Sequence, residues 1–191
     1  MQIPLIGGCQ CGKLRYELSE APRLVYCCHC TSCQKITASA FSITAVVIEE
    51  SFHLTAGEPH VVERTADSGR VYPRWVCPNC GSCITGAPRV AGAFRGVRAG
   101  SLDDTSWLRP TAHIWTRSKQ PWLVLPDGDR QFETQPDDIA GFLGGSRPII
   151  RIRSGPTCRN PRCEIQADPV ETHSRRIPDR RAAHRRVLLW L

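Results

Sequence analysis

The 191-residue chain is 41% hydrophobic and carries a formal net charge of +7. That length suits one domain with room for an extension, and no apolar run approaches the ~20 residues that span a bilayer, so a helical membrane protein is excluded. The charge is not spread evenly. Residues 1–144 hold 14 Lys and Arg against 14 Asp and Glu, whereas residues 145–191 hold 11 Arg, no Lys and 4 acids. The whole excess lies in the tail, and the balanced charge of the main domain argues against nucleic-acid binding by it.

Eleven cysteines exceed what packing needs. Met1 to Cys9 shows neither a basic n-region nor an apolar h-region, so the expectation is a reducing, cytoplasmic setting rather than a secreted disulfide framework. The odd count and the short spacings C-x-C and C-x-x-C favour metal knuckles over disulfides.

In chain order, Gly7-Gly8 and Gly12 flank Cys9 and Cys11, where two thiolates on one ion need a tighter turn than a regular strand gives. Lys13 to Leu18 alternates strictly and predicts a half-buried strand. Glu20-Ala21-Pro22 breaks it, and Arg23 to Tyr26 predicts a strand delivering Cys27-Cys28-His29-Cys30-Thr31-Ser32-Cys33. Gln34 to Ser39 reads as a connector with one helical turn. Ala40 to Ile48 is rich in β-branched residues and predicts a core strand. Phe52-His53-Leu54 and His60 to Glu63, on either side of Ala56-Gly57-Glu58-Pro59, predict a hairpin. Arg70 to Val76 predicts a strand that Pro73 restricts to an edge or a bulge. Further short strands are expected at Ile84 to Gly86, Ala93 to Ala99, His113 to Trp115 and Trp122 to Leu125. A turn is expected at Gly100 to Asp104 and a brief helix at Asp137 to Leu143. Short strands separated by frequent turns predict a mainly β fold for residues 1–144. Residues 145–191, rich in arginine and proline, predict a disordered tail.

Cys9, Cys11, Cys77 and Cys80 combine two knuckles into four thiolates, the closed set of a structural zinc site. Cys28, Cys30 and Cys33 supply three ligands from one local turn and leave a fourth position open, as a catalytic zinc requires. Cys27 or His29 is the rival fourth ligand, but each sits next to a ligand in sequence, and neighbouring side chains rarely converge on one ion. An iron–sulfur cluster is disfavoured because such clusters take four thiolates. Cys83 reads as a small buried residue, and Cys158 and Cys163 lack a second pair. His113 and Trp115 read as sharing a strand face with no role. Arg117 and Lys119 read as solvated charge, and Asp103-Asp104 as a turn rather than an acid–base pair.

The order C-x-C, C-H-C-x-x-C, C-x-x-C-G, with Ala99-Gly100-Ser101-Leu102-Asp103-Asp104 and His113-Ile114-Trp115, resembles the glutathione-dependent formaldehyde-activating enzyme (GFA) family, also named for centromere protein V (CENP-V). The resemblance covers roughly residues 7–135. It implies a β-tent of short antiparallel sheets stapled by two zinc ions per chain, with Cys9, Cys11, Cys77 and Cys80 as structural ligands and Cys28, Cys30 and Cys33 as catalytic ligands. It further implies carbon–sulfur lyase chemistry on a thiol–aldehyde adduct, with a small-molecule thiol such as glutathione as partner. Where relatives often carry a glycine-containing turn, this chain has Thr37-Ala38-Ser39. The alternative is a non-catalytic zinc-stabilised module whose basic tail contacts nucleic acid or another polyanion.

Overall fold

The structure is a computed structural model, and it describes residues 1–65, 71–86 and 93–144. The expected tail and its Cys158 and Cys163 lie outside the described residues. Among the described residues eleven strands run in chain order: β1 (Leu5–Gly8), β2 (Arg15–Leu18), β3 (Leu24–Cys28), β4 (Ser42–Ile48), β5 (Phe52–Ala56), β6 (His60–Thr65), β7 (Val71–Val76), β8 (Cys83–Thr85), β9 (Phe94–Arg98), β10 (Ala112–Ile114) and β11 (Arg130–Phe132). Helix α1 (Thr31–Thr37) follows β3, and α2 (Ile139–Gly144) closes the described chain. The mainly β expectation holds. Among the described residues no helix is long and apolar enough to cross a membrane.

Two sheets form. The smaller has the order β1-β2-β5 and is antiparallel throughout. The larger has the order β11-β10-β3-β4-β9-β8-β7-β6. It departs from a purely antiparallel arrangement, because β10 runs parallel to both β3 and β11. That pairing sets Cys27 opposite His113 and Cys28 opposite Ile114.

The alternation of β2 is real: Tyr16 and Leu18 are fully buried, while Arg15 and Glu17 are half-buried. Tyr16 stacks on Phe52 with ring centroids 5.1 Å apart, and its hydroxyl lies 2.8 Å from Ser101 Oγ. Burial pushes the phenol up to about 12, so it stays a neutral hydrogen-bonding group in the core.

Two expectations are corrected. Phe52–Ala56 and His60–Thr65 do not pair as a hairpin; β5 joins β2 and β6 joins β7. The turn between them makes this possible. Gly57 has φ +76°, and its α-carbon packs against the Lys13 carbonyl so closely that an added Cβ would lie 2.2 Å from that oxygen. The chain is thereby held against the β2 side before it leaves for the other sheet. Trp122 to Leu125 forms no strand. Trp122 and Val124 are 69% and 88% exposed, so their apolar character reflects no core face. Strand β7, which carries Pro73, lies between β6 and β8 rather than at an edge, and it meets the other expectation: its register on β8 shifts between Trp75 and Val76.

Candidate metal centre

The first cysteine group is assembled by two knuckles that each end in a left-handed glycine. After Cys9-Gln10-Cys11 comes Gly12 at φ +75°, and after Cys77-Pro78-Asn79-Cys80 comes Gly81 at φ +76°. Gly12 N donates to Cys9 O at 3.0 Å and Gly81 N to Cys77 O at 2.9 Å, closing both turns. The knuckles are tied directly: Lys13 Nζ donates to Asn79 Oδ1 at 2.9 Å and Gln10 N to Ser82 Oγ at 3.1 Å. The result gathers the sulfurs of Cys9, Cys11, Cys77 and Cys80 within 4.8 Å of one another. Cys9 and Cys11 sulfurs are 3.4 Å apart, and Cys11 and Cys77 sulfurs 3.7 Å. A tetrahedron with Zn–S bonds of ~2.3 Å has edges of ~3.8 Å, so the cage has the size and donor set of a zinc site. Leu14 N donates to Cys9 Sγ at 3.2 Å. The Ser82 hydroxyl and backbone draw the Cys80 thiol down to about 5, whereas burial pushes Cys77 up to about 11.

The second group holds the sulfurs of Cys28, Cys30 and Cys33, again within 4.8 Å of one another. Neither Cys27, His29 nor Cys83 joins it. Strand β3 delivers Cys28. Cys30 is the N-cap of α1, its Sγ accepting from Cys33 N at 3.3 Å. The helix therefore begins at Thr31, earlier than the expected turn at Gln34 to Ser39, because a sulfur supplies the cap. Cys33 thus sits in the first helical turn, facing back towards Cys30. The helix ends at Ala38, which adopts φ 47°, ψ 39°. A glycine would hold this left-handed conformation without the ~1–2 kcal/mol that alanine loses there.

Three thiols this close share protons unequally. Hydrogen bonds from Cys28 and then Cys30 bring Cys33 down to about 2, while Cys28 is raised by Cys30 and then Cys33. One sulfur ionises readily and the others hold their protons until a cation displaces them. The Ser42 hydroxyl favours the Cys33 thiolate. Arg98 hydrogen-bonds Cys83 and adds its charge to the field at Cys33. The floor is apolar: Leu24, Val46, Ala112, Ile114 and Phe142 are buried with Cys28, and Trp115 packs on them. A shallow, open surface depression of about 450 Å³ lies beside α1, rimmed by Gln34, Lys35, Gln120 and Trp122.

The segment between the ligands is pinned. His29 N donates to Ile114 O at 3.0 Å. Its carbonyl accepts from Gln34 Nε2 at 2.7 Å and Ser118 Oγ at 3.0 Å. The His29 ring is fully buried, stacks on His113 with centroids 5.2 Å apart and lies beside Phe41. His29 Nε2 is 3.0 Å from His113 Nδ1, and His113 Nε2 is 3.3 Å from Asp129 Oδ2. Burial, reinforced by His113, lowers His29 to about 4, so its ring is neutral near pH 7.

Several residues take different places from those expected. His113 and Trp115 do not share a face. Trp115 has φ 60°, which ends β10 and turns its ring onto the cluster around Cys28, while His113 faces His29. His113 is also not without a role, since it links His29 to Asp129. That link was hidden because it depends on a parallel pairing between strands some 84 residues apart. Cys83 is half-buried and donates to Thr85 O at 2.9 Å. Lys119 is not solvated charge: its Nζ donates to Leu123 O at 2.6 Å. Arg117 lies over the Trp115 ring, 4.9 Å from its centroid. Asp103 pairs with Arg15, and Asp104 accepts from Ser106 N, as a turn requires.

The fold and these two groups define a mainly β protein built around clustered cysteine thiols that could hold metal ions. The model of the family "Glutathione-dependent formaldehyde-activating enzyme" matches residues 4–118, more than half of the chain, and the chain belongs to that family. No curated protein matches it. A crystal structure of a Rhodobacter sphaeroides protein is similar at 17% identity with a TM-score of 0.43, over 67% of this chain and 99% of the other.

Proposed function

We propose that this protein is a zinc-dependent carbon–sulfur lyase acting on a thiol–aldehyde adduct, of the S-hydroxymethylglutathione type. The observation that carries the reading is the difference between the two groups: four sulfurs in one, three in the other. Cys9, Cys11, Cys77 and Cys80 would hold a structural zinc with no position to spare. Cys28, Cys30 and Cys33 would hold a second zinc with one position open to substrate, in a zinc-binding domain of residues 1–144. Bound there, zinc supplies Lewis acidity that polarises a substrate oxygen or lowers the pKa of a substrate thiol.

The chain's own residues support that chemistry in identifiable ways. Cys28 and Cys33 are held on a strand end and in the first turn of a helix, so regular backbone fixes the positions their side chains start from. Ser42 and Arg98 favour the anionic form of Cys33. Ile114, Phe142 and Trp115 keep water from the floor. Gln34 and Lys35 offer polar and cationic contacts along the depression, suited to the peptide part of a thiol such as glutathione. Family membership adds the substrate class. The equal charge of residues 1–144 weighs against the alternative of a polyanion-binding module. The three-thiol group fits a reducing, cytoplasmic setting, which keeps it available for metal.

The test is a cleavage assay on zinc-loaded protein. Purified protein is mixed with a preformed S-hydroxymethyl thiol, and release of free thiol and aldehyde is followed. Acceleration over the uncatalysed reaction, with preference for glutathione over simpler thiols, is the expected outcome. No acceleration with any hydroxymethyl thiol would rule the lyase reading out.

A further inference from the structure

Arg98 is a half-buried cation whose charge no carboxylate meets among the described residues. Arg95 and Arg15, by contrast, pair with Glu49 and Asp103. The seat of Arg98 is nevertheless built. Gly86 faces the guanidinium so closely that an added Cβ would lie 2.5 Å from Nη2, 2.7 Å from Nε and 2.8 Å from Cζ. Nη2 reaches the Gly86 carbonyl only at 3.5 Å, and Nε is enclosed with no acceptor among the described residues. A cation drawn this far out of water is costly unless an opposite charge offsets it.

Strand register points to that charge. Arg98 stands opposite Thr44 and Thr44 opposite Tyr26, while two residues along β4 Ser42 stands opposite Cys28. Facing and alternate residues share one side of a sheet, so Arg98 lies on the side that carries Cys28. Burial opposes the Arg98 charge, yet Cys33 and then Cys83 more than offset it. With zinc bound, Cys28, Cys30 and Cys33 set three thiolates against two positive charges. One net negative charge then rests on an apolar floor.

We propose that Arg98, seated against Gly86, is the counter-charge of the open site: it offsets the negative charge left by three thiolates around zinc, and so sets how tightly Cys28, Cys30 and Cys33 hold the ion. The inference rests on the open-site reading for the ion and needs no turnover. A charge acts through distance as well as contact, so Arg98 need not touch the sulfurs. Lys35, two residues after Cys33, is exposed and screened by water, whereas the sheltered Arg98 is screened less.

The experiment titrates full-length, zinc-loaded protein with a chelator of known affinity and counts the zinc that each chain retains. In Arg98→Gln the readily released zinc binds about 10- to 100-fold more weakly than in the wild type, the loss seen when partners of a metal site's ligands are removed. The zinc on Cys9, Cys11, Cys77 and Cys80 is held as before and reports in the same molecule that the variant is folded. Arg98→Lys keeps the charge but loses the planar fork, and holds its second zinc close to wild type. Gly86→Ala leaves Arg98 in the chain but displaces the guanidinium, and its affinity falls between wild type and Arg98→Gln; it carries the test if Arg98→Gln does not fold. An unchanged affinity in Arg98→Gln, or in Gly86→Ala where that variant carries the test, overturns the proposal. So does an Arg98→Lys as weak as Arg98→Gln, because geometry rather than charge would then govern the site. The two readings fail differently: one zinc in the wild type sinks the open site itself, whereas two zincs with Arg98→Gln unaffected sink only the counter-charge.

Discussion

Replacing Cys77 with serine should leave the protein unfolded or aggregated. Cys77 is 1% exposed and belongs to the same buried cluster as Cys9, Leu14, Tyr16 and Leu18. It sits 66 residues from Cys11 in sequence and 3.7 Å from it sulfur to sulfur, so the group fastens the N-terminal hairpin to the middle of the chain. Structural zinc sites contribute an apparent ~10–16 kcal/mol at neutral pH in small peptides, whereas whole domains are stable by only ~5–15 kcal/mol. That contribution is comparable to the whole margin. Serine supplies no thiolate, and its hydroxyl would be left in a cage built for sulfur. Soluble yield and circular-dichroism melting measure the effect. A Cys77→Ser protein that melts with the wild type would mean the four-cysteine group carries no structural metal.

Cys30→Ser should do nearly the opposite, abolishing turnover while leaving the melting temperature close to wild type. The Cys30 sulfur has two jobs: it is one of three candidate ligands and it caps α1 through Cys33 N. Serine keeps the second job, since its Oγ is among the preferred N-cap acceptors. It loses the first, because a neutral hydroxyl is a poor ligand beside two thiolates. Cys30→Ala removes both, and should be less stable than the serine variant by ~1 kcal/mol, the usual worth of a cap. The pair separates chemistry from helix stability: activity lost in both, stability lowered mainly in alanine. If Cys30→Ser destabilised as strongly as Cys77→Ser, both groups would be structural and the catalytic reading would fail.

The seven clustered cysteines were legible from spacing alone, because a knuckle is a local object: two thiols with two or fewer intervening residues. Strand β2 was legible for the same reason, its alternation of Tyr16 and Leu18 with Arg15 and Glu17 being set within one segment. What was not legible was partnership. Phe52–Ala56 and His60–Thr65 look like a hairpin because they are close in sequence, yet β5 and β6 find partners in different sheets. Strands β1 and β11 carried no usable alternation: β1 is half glycine and β11 is three residues long. Trp122 to Leu125 has the composition of a strand, but Trp122 and Val124 stay exposed and the segment pairs with no strand among the described residues. Helix α1 began early because Cys30 caps it with sulfur, a signal that standard cap residues do not give. His113 could be read as a strand residue but not as the second ring of a chain, since that depends on β10 lying parallel to β3.

The central claim is that one group of thiols is closed and the other open, and metal content measures it most directly. Purified full-length protein, expressed with zinc, is assayed for bound metal before and after timed exposure to a chelator, with circular dichroism followed in parallel. The account predicts two zincs per chain, one of them lost readily with the fold intact and assigned by its absence from Cys30→Ser. A single zinc per chain, or two that resist the chelator equally, would contradict it.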